Sequence, residues 1–190
     1  TITVDSAIKA LVTKSANDVA TVLAESMGGT ERKFAVLMTK RARALGMKDT
    51  TFKNASGLPN RGQLSTARDM AILARAVLYG HPKMYRHFSR KSFTYKGRTY
   101  KSHNRLMSRY KGMDGIKTGY IRASGFNLVA SARRGGKRVI AVVFGGKTSK
   151  TRDRQVAKLL DRGFASLQTV FAKSGKQKNL PASNVRAQYR

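Results

Sequence analysis

Three strand-like segments, 114–120, 126–132 and 138–144, follow one another so closely that they constrain the fold more than anything else in the chain. Residues 133–137 join the last two and include Gly135-Gly136, a pair suited to the positive φ angles of a tight hairpin turn. The segments therefore form a meander. Directly after them Val156, Leu159, Leu160, Phe164, Leu167 and Phe171 fall on one face of a closing helix over 151–171.

Ahead of the meander the apolar period is helical. Ala7, Ile8, Leu11 and Val12 recur after start signals in 3–6, and a second helix opens near Asn17 or Asp18. It carries Val19, Val22, Leu23 and Met27 and ends at Gly28-Gly29. Phe34, Leu37, Met38 and Leu45 mark a third helix, stopped by Gly46. The stretch 46–64 is loop-like. Thr66 and Asp69 then make a capping-box-like start for Met70, Leu73, Ala74 and Val77, a helix that ends at Gly80 ahead of Pro82. Residues 92–101 alternate loosely around Phe93, Tyr95 and Tyr100, as a short hairpin turning at Lys96-Gly97 would. Helices, then a meander, then a helix predict an α+β fold, and 190 residues suffice for one core. The expected domain is 1–168, helical over about 1–112 with sheet and closing helix over 113–168. Residues 169–190 are basic and poor in apolar anchors, which predicts a mobile tail.

Formal charge is +30, and between Asp69 and Asp114 stand eleven basic residues and no acidic one. Such an excess attracts polyanions: nucleic acid, anionic lipid head groups or acidic wall polymers. A solvated basic surface explains it equally well. No nucleic-acid reader motif accompanies the aromatics of 79–110, so nucleic acid is not an expected partner. The absence of cysteine suits a disulfide-free envelope protein and a cytosolic one alike. His81, His87 and His103 lack metal-ligand spacing, and the glycine pairs lack a following phosphate-binding helix pattern. No metal or other cofactor is expected.

The chemistry concentrates in Lys117-Thr118-Gly119, within Asp114-Gly115-Ile116-Lys117-Thr118-Gly119-Tyr120. An ammonium, a hydroxyl donor and an unobstructed backbone in succession suit a small carboxylate lying beside a reacting carbonyl. Ser15-Ala16-Asn17 lies 102 residues upstream. Read alone, Ser15 and Asn17 are better explained as helix N-caps than as catalytic groups. Ser102-His103-Asn104 repeats the pattern in a connecting segment close to Lys117, where it is not expected to function as such.

The two motifs match two of the three that mark penicillin-binding proteins and β-lactamases. Further runs extend the likeness: Asn54-Ala55-Ser56-Gly57-Leu58-Pro59, Gly62 through Met70, Gly125-Phe126-Asn127-Leu128-Val129-Ala130-Ser131-Ala132, and Val143-Phe144-Gly145-Gly146. Over about 1–168 the chain resembles the serine-type D-alanyl-D-alanine carboxypeptidases, the low-molecular-weight penicillin-binding proteins. That resemblance implies a β-lactamase/transpeptidase-like fold, an antiparallel sheet flanked by helices and here incomplete on its N-terminal side. It implies catalytic roles for Ser15 (proton relay), Asn17 (hydrogen bond to substrate backbone) and Lys117 (carboxylate grip and proton ordering). Thr118, Gly119, Tyr120 (through its N–H, an oxyanion donor) and Lys147 would bind substrate. The implied partners are a peptidoglycan stem peptide and β-lactam antibiotics, and the implied location is the periplasm or cell envelope after export. The family's nucleophile stands in a Ser-x-x-Lys motif well upstream of Ser-x-Asn, so the chain reads as a fragment. The matches Ser6/Lys9 and Ser108/Lys111 occupy the wrong places for it. A catalytically silent peptidoglycan- or polyanion-binding fragment and a D,D-endopeptidase are the alternatives.

Overall fold

A computed structural model describes residues 1–177 of the chain, with side chains through residue 169. Helices α1 (Val4–Lys14), α2 (Asn17–Gly28), α3 (Glu31–Ala44) and α4 (Ala67–Gly80) come first. Threonines begin three of them. The Thr3, Thr30 and Thr66 hydroxyls accept from the N–H groups of Ser6, Lys33 and Asp69, satisfying donors that a helix start leaves orphaned. The loop before α4 is tied down by Asp69, which is 2% exposed and accepts from Asp49 N–H at 2.9 Å and Thr50 O–H at 2.6 Å.

Between Pro82 and Ser108 the chain makes three short turns that the sequence pattern does not announce. They are α5 (Pro82–Tyr85) and 3-10 turns at Arg86–Ser89 and Arg105–Ser108. Between these turns strands β1 (Ser92–Tyr95) and β2 (Arg98–Lys101) form the expected hairpin. Lys96 and Gly97 both have positive φ, 46° and 73°, as a two-residue type I′ turn requires. Phe93 stacks on Tyr100 at 5.3 Å.

Strands β3 (Met113–Ile121), β4 (Gly125–Arg134) and β5 (Lys137–Gly146) form an antiparallel sheet in that order. Leu128, Ala130 and Ala132 of β4 and Ala141 of β5 pack on Val156, Leu160 and Phe164 of α6 (Ser149–Gln177). Val129 and Ile140 face the other way, onto Ala74 and Leu78 of α4 and Tyr85. A sheet covered on both faces explains why β4 reads as a nearly continuous apolar run. Each large side chain fully buried here contributes about 1.5–3 kcal/mol. Gly163 lets α6 close on β5: a Cβ there would lie 2.6 Å from Val139 Cγ1.

Helix α6 continues to Gln177, so 172–177, beyond the expected closing helix, is helical and not the tail expected from its composition. Extending a formed helix adds one hydrogen bond per residue, and alanine, lysine and glutamine favour it. The tail expectation for 178–190, and the direction of Phe171, lie outside the described residues. Among the described residues β3 and β5 are each paired on one side only. Val22, Met27, Val36, Leu37, Leu64 and Tyr79 are each at least half exposed.

Candidate active site

Among the described residues strand β3 is an edge strand, so alternate backbone groups along it are open to a ligand. Lys117 lies on this strand opposite Val129, and Thr118 opposite Leu128. The Lys117 ammonium donates to the Thr118 carbonyl at 2.8 Å and to the hydroxyl of Ser15. Two motifs 102 residues apart thus share one hydrogen bond.

Ser15 sits where α1 stops and α2 is about to start. Its backbone is left-handed, φ 54° and ψ 50°, and its N–H closes α1 by donating to Leu11 C=O at 3.0 Å. A serine in that region is uncommon, and the conformation costs about 1–2 kcal/mol relative to a glycine there. Capping does not occupy its hydroxyl. The N-cap of α2 is Ala16, without a side-chain bond, so the Ser15 hydroxyl is not consumed by the helix and is turned to Lys117. Asn17 opens α2 and is exposed on the cleft wall.

These groups line a cleft of about 1500 Å³. Ser15 and Asn17, the run Lys117, Thr118, Gly119 and Tyr120, and residues 101–105 all line it. Tyr120 is 58% exposed, its ring 4.4 Å from that of Phe126. Lys147 is not brought to the cleft. It stands exposed in the turn between β5 and α6. Arg152, one turn into α6, lines the cleft instead. It donates to Asn127 C=O at 3.3 Å and pairs with Asp153 at 2.7 Å. Gly146 makes room for it, since a Cβ there would meet Arg152 Cβ at 2.7 Å.

His103 also lines the cleft. The Ser102-His103-Asn104 run is used structurally: Ser102 Oγ accepts from Asn104 N–H at 3.2 Å, and Asn104 Nδ2 donates to Gly115 C=O at 3.4 Å. Of the two Ser-x-x-Lys serines, Ser6 accepts a hydrogen bond from Thr3 within the first turn of α1, away from the cleft. Ser108 lines the cleft, but Lys111 does not.

Burial lowers the pKa of Lys117 to about 8. At neutral pH the ammonium still predominates about tenfold, yet it gives up its proton far more readily than a surface lysine. His103 is also shifted down, by burial and then by the charges of Lys14 and Lys117, and so favours the neutral imidazole. Among the described residues, no cluster of three His, Cys, Asp or Glu offers a metal site. A partly desolvated cation beside the Ser15 hydroxyl and a strand edge can hold a carboxylate, move a proton through Ser15, and donate backbone hydrogen bonds to a developing oxyanion.

Known proteins share this arrangement of elements. Residues 1–148 match the family model described as D-alanyl-D-alanine carboxypeptidase. The D-alanyl-D-alanine carboxypeptidase DacD of Salmonella typhimurium is 40% identical over 171 residues, 89% of this chain and 44% of that protein. DacF of Bacillus subtilis is 39% identical over 197 residues, 93% of this chain and 49% of the relative. The chain thus spans about half the length of these curated relatives. Penicillin binding protein 5 of Haemophilus influenzae superposes with a TM-score of 0.83 at 36% identity, covering 86% of this chain and 48% of that one. Penicillin-Binding Protein D2 of Listeria monocytogenes, in its ampicillin-bound form, gives 0.80 at 35%, over 86% and 68%. With the helices, the sheet and the Ser15–Lys117 contact already in place, a match over most of its length decides the matter: the chain belongs to the D-alanyl-D-alanine carboxypeptidase family.

Proposed function

We propose that this chain supplies the substrate-gripping and proton-relaying half of a serine-type D-Ala-D-Ala carboxypeptidase. The hydrogen bond from the Lys117 ammonium to Ser15 carries the reading, because it joins the two motif halves across a cleft open to a peptide end. In the intact enzyme a serine outside residues 1–190 attacks the penultimate D-Ala carbonyl of a peptidoglycan stem peptide. Terminal D-Ala leaves and water hydrolyses the acyl-enzyme. Lys117 and Thr118 hold the terminal carboxylate, the amide of Asn17 binds substrate backbone, Ser15 passes the proton, and the strand edge at Tyr120 supplies an oxyanion donor. β-Lactams acylate the same serine. The protein works in the cell envelope, and its positive charge draws it to anionic membrane or wall polymer.

The reading is tested by incubating the intact enzyme with a peptide ending in D-Ala-D-Ala and measuring free D-alanine. Release from that peptide, and none from its L-Ala-L-Ala counterpart, is expected; no release would overturn it.

Ser15 offers a sharper test, because its backbone and its hydroxyl make opposite demands. Ser15→Gly is expected to raise stability by about 1 kcal/mol by relieving the left-handed backbone. It is also expected to slow penicillin acylation by about 100-fold, through loss of the relay. Ser15→Ala keeps the backbone cost and loses the same rate. Thermal denaturation beside stopped-flow acylation reads both effects. Wild-type acylation in Ser15→Gly would remove Ser15 from the mechanism.

A further inference from the structure

Asp114 neither lines the cleft nor belongs to the core, yet several elements converge on it. It stands three residues before Lys117, at the one irregularity of β3. Met113 is opposite Ala132 and Gly115 is opposite Ser131, so β3 spends two steps where β4 spends one. Asp114 is the extra residue of a β-bulge, a device that re-aims side chains and sets the register of the residues beyond it. Past the bulge pairing is regular from Gly115 to Ile121, which places Lys117 opposite Val129. Side chains alternate along a strand, so removing the extra residue would exchange Lys117 with its neighbours and turn it away from Ser15.

The bulge is clamped from three directions. From β5, Nη1 of Arg138 donates to both Asp114 oxygens, at 2.8 and 2.6 Å, and to Ser131 Oγ of β4 at 2.6 Å. From the end of α5 the Tyr85 hydroxyl donates to Asp114 Oδ1 at 3.1 Å. Burial pushes the Tyr85 pKa up, so the phenol remains a donor at any working pH. From the connection ahead of the 105–108 turn, Asn104 Nδ2 donates to Gly115 C=O. Gly115 itself admits no side chain, since a Cβ would lie 2.7 Å from the Tyr85 hydroxyl.

We propose that Asp114 is a positioning residue: its carboxylate, gripped by Arg138 and Tyr85, pins the bulge and so holds Lys117 on the cleft side of β3. The inference rests on Lys117 acting in acylation. The role differs from that of an ordinary ion pair because what it fixes is the register of the strand that bears the reacting groups. The pair Asp161–Arg134, at 3.4 Å, is the natural control, because Arg134 bonds the chain ahead of β3 at Lys111 C=O and not the Asp114 carboxylate.

The experiment uses the intact enzyme, with burst titration by a chromogenic β-lactam to count active sites and the acylation rate expressed per active site. Asp114→Ala and Arg138→Gln are expected to slow that rate about 100-fold, as a displacement of about 1 Å in a catalytic group does. Arg138→Lys is expected to recover part of the loss, because a single nitrogen makes all three Arg138 contacts and an ammonium can replace it. Asp161→Ala should leave the rate per site unchanged. A purely structural role would lower the melting temperature or the active fraction of Asp114→Ala and Arg138→Gln without touching the rate per site, and that result overturns the proposal. Should Asp114→Ala not fold, Asp114→Asn and Arg138→Gln decide it by the same reading. Lys117→Ala, run in parallel, separates the two claims: parental acylation there refutes the catalytic reading of Lys117, whereas a slow Lys117→Ala beside a fast Asp114→Ala refutes only the clamp.

Discussion

Alanine at position 117 is expected to slow penicillin acylation of the intact enzyme about 1000-fold, equivalent to about 4 kcal/mol of transition-state stabilisation. The size reflects the loss of a charged donor in a partly desolvated cleft, one that contacts the Ser15 hydroxyl and is proposed to hold the ligand carboxylate. Thr118→Val removes one neutral hydrogen bond and is expected to cost about 1 kcal/mol. The same burial predicts two pH effects. Affinity for carboxylate ligands should fall as pH rises through about 8, where Lys117 loses its proton. Stability should move the other way. Between about 8 and the ordinary lysine value of 10.5 the unfolded chain holds a proton on Lys117 that the folded chain has released, so this residue's contribution to stability rises with pH across that window. Lys117→Ala should abolish that rise relative to the parent. Equal acylation rates in parent and Lys117→Ala would remove Lys117 from the site.

Much of this frame is written in local signals. Thr3 and Thr66 mark two helix starts, while Lys96-Gly97 and Gly135-Gly136 mark the two tight turns, because capping and positive φ are requirements of a few adjacent residues. What stayed hidden depends on distant partners. The turns at Arg86–Ser89 and Arg105–Ser108 have no period of their own and arise from packing of Tyr85, Leu106 and Met107. The Asp114 bulge shows only once β4 is laid beside β3. The sequence singles out Lys147 as the basic residue near the pocket, whereas Arg152, which has no motif to mark it, is the cation that lines the cleft. Ser15 was legible as a cap and as a relay, two uses of one hydroxyl. The structure shows the hydroxyl engaged by Lys117 and not by the helix, which leaves it available for the proposed relay.

The second large effect is all or none. A fluorescent penicillin is expected to label the intact enzyme and to leave the chain of residues 1–190 unlabelled. Acylation needs a serine with a base beside it, facing the carbonyl of a bound β-lactam. Ser6 is held by Thr3 in the first turn of α1, and Ser108 lines the cleft without its lysine. Ser15 does have an ammonium in contact, but in the proposed mechanism that contact relays a proton to a different serine. The label in the intact enzyme should therefore map to a peptide before Thr1. The isolated chain should also associate, since β3 and β5 each present an unpaired edge among the described residues and Val22, Val36 and Leu64 lie exposed. Sedimentation would record that association, and mass spectrometry of the penicillin-treated chain would record the missing adduct. An adduct on Ser15 would reverse the assignment: Lys117, with its lowered pKa, would then be the base of a two-residue Ser-Lys centre contained wholly within this chain.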